Sequence, residues 1–280
     1  MTSRSSFTET SENGKQPEVK AFIHQFSHPD EHKEFMEMMK LGSTFDMRPR
    51  AMMHFYGSDL IAYKRKHRSN SQVNEFLRIF STYLTTYLED ECPESWEKCS
   101  LAFWEELIIG CFPKYMKIHT KQRETKIFLM QLKRFVHWLD ERTGGNWFSV
   151  VEKFVEDYRP EIEKSERMFN ELYLHVYPKL NDQDWNPGKD VDQILKNLDG
   201  CSSTRNSVFE LTKISDTIVS FYDLDRRETY QLIDFPAEKD SLNFLVQGVI
   251  GKRADDFFWR LYLIDSIYPN KLKRYIKFLK

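Results

Sequence analysis

Near residue 200 the spacing of apolar side chains changes period, and few features constrain a fold more. From about 19 to 198 they recur every three to four residues, as one face of a helix requires. From 208 onward they alternate, as strands require. In "SNSQVNEFLRIFSTYLTTYLED", Phe76, Phe80, Tyr83 and Tyr87 lie on one helical face, with Ser69 to Gln72 at capping-box spacing. "SWEKCSLAFWEELIIGCF" gives a second helix, gathering Trp104, Leu107, Ile108 and Cys111 and stopping at Pro113. A third carries Phe128, Leu132, Phe135 and Leu139 opposite Lys126, Lys133 and His137, and Gly144 and Gly145 end it. "NWFSVVEKFVEDY" is a fourth, Pro160 opens a fifth that runs to Pro178, and Asp190 caps a short sixth that ends at Gly200.

Beyond the linker-like "GCSSTRNS", five segments of strand length are rich in β-branched and aromatic residues: "SVFELTKI", "TIVSFYDL", "ETYQLIDF", "SLNFLVQGVIGKR" and "FFWRLYLIDSIY". Their short connections favour antiparallel neighbours. The expected fold is α+β, a multi-helix N-terminal bundle followed by a small antiparallel β-barrel or curled five-stranded sheet. Its parts are a flexible tail (1–18), a helical domain (19–198), a linker (199–207) and a β-domain (208–280). In the last segment Phe257, Trp259, Leu261 and Leu263 face one way and Phe258, Tyr262 and Ile264 the other. With apolar residues on both faces, the second face should pack against the helical domain, which is favoured, or against a partner.

Composition sets the remaining bounds. The 280 residues are 40% hydrophobic and hold 22 Phe, 13 Tyr and 6 Trp, so rings should fill much of the core. No early apolar run suggests a secretory signal and no stretch is long enough to span a bilayer, so a cytoplasmic protein is expected. Cys92, Cys99, Cys111 and Cys201 form no C-x-x-C pair and are expected to be reduced.

For metal chemistry, "FIHQFSHPDEHKEF" offers His24, His28 and His32 four residues apart. Pro29 breaks any helix that would align them, and the stretch reads better as a helix start with Asp30 and Glu31 in the first turn. There is no G-x-S-x-G elbow and neither phosphate-cradling glycine motif, so no catalytic residue, metal or cofactor is assigned. The acidic run "EDECPE" reads as a solvated face or helix end.

Basic residues are the better binding candidates. "KRKHR" supplies Lys64, Arg65, Lys66 and Arg68, and Lys114, Lys117, Lys121 and Arg123 surround a helix connection. The ending "KLKRYIKFLK" adds Lys271, Lys273, Arg274, Lys277 and Lys280. Such side chains on loops and helix starts can reach phosphates, and small β-domains are common single-strand platforms. The stretches "EDECPE" and "EDYRPEIEKSE" offer acidic complements, within the chain or between chains.

The succession "FLRIFSTYLTTYL", "FWEELIIGCF" and "LKRFVHWLDERTG" resembles the helical core-binding module of phage-type integrases, above all in its F-x-x-W-L ending. In that family a helical catalytic domain with Arg, His and a Tyr nucleophile should follow. Here strands follow and no H-x-x-R occurs, so the resemblance implies a helix-packing pattern without strand exchange. The expected function is a non-enzymatic cytosolic regulatory or adaptor protein with an unidentified protein partner. The alternative is a nucleic-acid-binding regulator using the 64–68 cluster and the β-domain.

Overall fold

A computed structural model describes residues 26–118, 122–215, 217–236 and 241–276. The expected tail (1–18), His24, Lys121, Lys277 and Lys280 lie outside them. The chain is α+β, helices first and sheet second. The helices are α1 (Pro29–Ser43), α2 (Gly57–Lys66), α3 (Ser71–Thr82), α4 (Leu101–Glu106), α5 (Phe112–Tyr115), α6 (Glu124–Thr143), α7 (Phe148–Val176) and α8 (Pro187–Asp199). Among the described residues no helix is long and apolar enough to cross a membrane.

Aromatic packing organises the bundle. Phe80 on α3 meets Phe135 at 5.2 Å, Trp104 at 6.1 Å and Trp96 at 6.2 Å between ring centroids. Phe112 stacks on Phe128 at 4.1 Å. The stripes read from the sequence are mostly buried: Phe76, Phe80, Trp104, Leu107, Leu132, Phe135 and Leu139 are each at most 1% exposed, whereas Tyr87 at the end of the α3 stripe is exposed. Burying a side chain of this size contributes about 1.5–3 kcal/mol, which makes the α3–α6 seam a main source of stability.

The helix ends differ from expectation in four places. Asn70, not Ser69, caps α3, its side chain accepting from the N–H groups of Gln72 and Val73. Asn186 caps α8, with Pro187 in the first turn; Asp190 instead accepts from the Trp185 indole N–H. Pro113 does not stop a helix. Two π turns, Tyr83–Tyr87 and Leu107–Cys111, widen the ladder, and the second places Pro113 at the start of α5. Pro160 lies inside the single 29-residue α7. It and Glu156, whose carbonyl loses its donor, are both on the exposed side of the helix, where water can replace the missing bond.

α6 and α7 form an antiparallel hairpin, turned at Gly144 with φ 75° in the left-handed region. Each helix caps the other. Asp140 near the end of α6 accepts from the N–H groups of Trp147 (3.0 Å) and Phe148 (2.7 Å). Glu166 on α7, 1% exposed, accepts from Glu124 (2.9 Å) and Thr125 (3.2 Å) at the start of α6.

The strands are β1 (Ser203–Ser215), β2 (Ile218–Asp223), β3 (Thr229–Ile233), β4 (Phe244–Lys252) and β5 (Arg260–Pro269), antiparallel in the order β3-β2-β1-β4-β5. β1 begins at Ser203, inside the stretch read as linker. The sheet is curled and is not closed into a barrel; an isolated bridge between Leu232 and Trp259 links β3 to the chain just before β5. Phe209, Leu211, Phe221 and Val246 pack with Met168, Phe169 and Leu172 of α7, while Leu245 and Tyr268 join the helical core. The later half of the last segment is covered, with Ile264, Ile267 and Tyr268 buried, but its start is not: Phe257 and Phe258 precede β5, Phe257 is 91% exposed, and Trp259, Leu261 and Leu263 are half-buried. Beside a bulge in the β4–β5 register, a Cβ on Gly248 would lie 2.3 Å from the Leu263 carbonyl oxygen, so only glycine fits.

Replacing Glu166 by Ala should lower stability by about 2–4 kcal/mol, because two buried helix-start N–H groups lose a charged acceptor. Glu166→Gln, which keeps one acceptor oxygen, should cost less. Urea unfolding with an unchanged slope would measure both, and equal stability of Glu166→Ala and the unmodified chain would contradict the capping role.

A cationic, aromatic-floored cleft as candidate functional site

The "KRKHR" run ends α2 and enters the turn before α3. The turn is short because His67 leaves helical dihedrals as the C-cap and Asn70 starts the next helix three residues later. α3 packs on α6, so this turn comes to lie against the C-terminal half of α6. Between them is an open cleft of about 420 Å³.

Its floor is aromatic. Tyr63, 1% exposed, touches Phe135 (5.1 Å), Trp138 (5.0 Å) and His67 (4.7 Å) by ring centroids. Burial pushes the Tyr63 hydroxyl up to about 12. Arg142 lies over the other ring of this floor, 5.6 Å from Trp138, while its guanidinium holds the buried Asp59 at 2.7 Å. Phe148, at the start of α7, closes one end and meets His137 edge-on at 5.1 Å.

The rim is cationic and unevenly paired. Lys133 is 2.5 Å from Glu152, and His137 is 3.5 Å from Glu141. Lys66 and Arg134, both exposed, have no carboxylate partner among the described residues. The positive field shows at His67. Its pKa is lowered first by burial, then by the charges of Lys66, Arg134 and Lys64. An anion entering the cleft would relieve that field.

The basic residues singled out in the sequence are dispersed. Lys64 is 1% exposed, its ammonium bonded to the Arg68 carbonyl at 2.6 Å, and burial lowers its pKa; it is not offered to a partner. Arg65 is 3.7 Å from Glu34 of α1. Lys66 lies in the cleft and Arg68 is exposed beside it. Lys117 is paired with Glu75 at 2.7 Å, and Lys114 and Arg123 are exposed. Arg123 precedes α6 and Arg134 lies eleven residues further along, so about 16 Å of helix separates that group from the cleft. Within the described part of the ending, Lys271 pairs with Glu161 of the acidic "EDYRPEIEKSE" stretch (3.2 Å), whereas Lys273 pairs with Glu210 (2.7 Å) and Arg274 with Glu105, both outside the acidic stretches read from the sequence.

Tyr63, Lys133, Arg134, His137 and Trp138, which line this candidate cleft, were not among the binding residues read from the sequence. Positions 134 and 138, and 133 and 137, are one turn apart on α6, which a sequence shows; that a distant turn faces them, it does not. His28 is the N-cap of α1, and among the described residues no group of three His, Cys, Asp or Glu could hold a metal. "EDECPE" lines a second cleft, of about 650 Å³, with Glu106, Arg274 and Tyr275.

Comparison of the chain with family models, curated proteins and solved structures returns no match.

With its folded pKa below the unfolded value of 6.5, His67 takes up protons more readily in the unfolded chain. Its contribution is full above about pH 6.5 and declines as pH falls toward the folded pKa. Urea midpoints between about pH 7.5 and 5.5 should fall less in His67→Gln than in the unmodified chain; identical slopes would show that the fold does not lower the His67 pKa.

Proposed function

We propose that this chain is a non-enzymatic, cytosolic regulatory or adaptor protein that captures an acidic segment of a partner protein in the cleft between the α2–α3 turn and α6. The carrying observation is that two cations without carboxylate partners, Lys66 and Arg134, flank the half-buried ring of Trp138, which the buried Tyr63 backs from beneath. A peptide with an apolar anchor beside one or two carboxylates matches that pattern, the anchor gaining from ring contact and the carboxylates from charge-assisted bonds. The rim also favours a peptide over a phosphate backbone at this place. Glu141 and Glu152 stand among the cations, and a polyanion with a charge at every step would meet them.

Selection of a random peptide display library on the immobilised chain tests the reading. Enriched sequences should pair acidic with large apolar residues. A synthetic peptide of that kind should bind the Lys66→Glu, Arg134→Glu double variant at least about tenfold more weakly, because two attractive contacts become repulsive. Both sites are exposed, so circular dichroism should be unchanged. Enrichment of basic peptides, or full binding by the double variant, would refute the proposal.

A further inference from the structure

A second, independent surface lies where β1 begins and β4 ends, brought together by the pairing of Ser203 with Lys252. Trp259 sits there in a fixed place. Its backbone N–H bonds to the Gln231 carbonyl at 2.9 Å and its carbonyl accepts from Ile233 at 3.1 Å, and Tyr230 meets its ring at 4.8 Å. Two cations lean on that indole: the Arg205 guanidinium at 5.9 Å and the Lys252 ammonium at 6.0 Å from the ring centroid. Arg205 is also oriented by the Tyr230 hydroxyl at 3.3 Å. Neither cation has a carboxylate partner among the described residues, although Arg260 nearby is paired with Asp234. Two residues before Trp259 in the chain, Phe257 is 91% exposed, unlike any other large apolar side chain described.

We propose that this end of the sheet is a contact site for single-stranded nucleic acid, with a base stacked on Phe257 and phosphates held by Arg205, Lys252 and the exposed Arg253. A free aromatic face and preset cations are the two elements such sites combine. A single strand supplies a flat base and a phosphate at every step, whereas an acidic peptide would need its aromatic or apolar group and its carboxylates in one particular order. A duplex keeps its base faces stacked and offers none to Phe257. Asp255 and Asp256, in the same β4–β5 connection, oppose a phosphate backbone, so the path runs on the Arg205 and Lys252 side and their charge limits affinity. The site shares no residue with the peptide cleft, so either proposal can fail alone.

The test is fluorescence anisotropy of a labelled oligothymidylate of about fifteen residues with the full chain. Binding at about 50 mM salt should weaken by roughly tenfold to twentyfold at about 200 mM, as three phosphate contacts imply. Phe257→Ala, fully at the surface, should weaken it by about tenfold. Lys252→Gln should weaken it and flatten the salt dependence. Asp255→Asn with Asp256→Asn should tighten it, and Lys66→Glu with Arg134→Glu should leave it unchanged. Absence of binding at the lower salt would overturn the proposal. So would equal binding of the probe by Phe257→Ala, inorganic polyphosphate then competing as well as the oligonucleotide, which would mark a general anion patch. Preferential binding of an acidic peptide that the oligonucleotide does not displace would assign the surface to a protein instead.

Discussion

The reciprocal capping of α6 and α7 fixes where everything else in the molecule can be. An antiparallel helix pair held only by an apolar seam can slide by a turn at modest cost. Here each helix end is closed by a carboxylate from the other, Asp140 on Trp147 and Phe148 and Glu166 on Glu124 and Thr125. A slide of one turn would strip orphan N–H groups at both ends at once and leave a buried carboxylate without donors. Both carboxylates also face the positive end of a helix dipole. The register so fixed sets Phe148 opposite His137, which closes the cleft, and lets α7 run on past the start of α6. Met168, Phe169 and Leu172 lie on that overhang, and the sheet docks there.

A second buried carboxylate ties the end of the described chain to the bundle. Glu105, 6% exposed at the end of α4, receives the hydroxyls of Tyr158 on α7 and Tyr275, and the guanidinium of Arg274. Burial first, and then the carboxylate itself, push both phenols up to about 12, so they stay protonated and keep donating at any physiological pH. Three donors around one buried acceptor satisfy most of its lone pairs, the condition under which a buried charge is tolerated. With Leu272 packed against Gly110 and Leu245 and Tyr268 in the helical core, the sheet has a second anchorage besides α7.

The two periodicities were legible because they follow from side-chain geometry alone: the stripe of Phe128, Leu132, Phe135 and Leu139 is buried, and all five alternating segments are strands. What escaped depends on contacts between distant parts. Pro160 obeys the helix-start rule locally, yet α7 continues through it because the orphaned carbonyl falls on the exposed side and Tyr158 and Ile162 are buried on the other. Pro113 stops nothing because a π turn precedes it. Lys64 reads as one of four equivalent cations, but the helical phase of α2 turns it inward with Leu60, Ile61 and Tyr63 while Arg65 and Lys66 point out. The cleft needs residues from 63 to 148 and was half visible at most, since its cations at 66 and 134 are meaningful only once α3 has packed on α6.

The same hairpin that builds the cleft also keeps it apart from the sheet. Phe148 borders the cleft and Met168 meets the sheet, twenty residues along one continuous helix, which amounts to about 30 Å. A helix interrupted by proline is the usual place for such a spacing to vary. Here the turn around Pro160 is braced on the inner side: Tyr158 is held by Glu105, Lys271 lies 4.7 Å over the Tyr158 ring, and its ammonium is paired with Glu161 directly after Pro160. These contacts come from α4 and from the segment after β5, so the helix bundle and the chain leaving the sheet clamp the same turn of α7. The cleft end and the sheet end of α7 are therefore held at a set distance from each other.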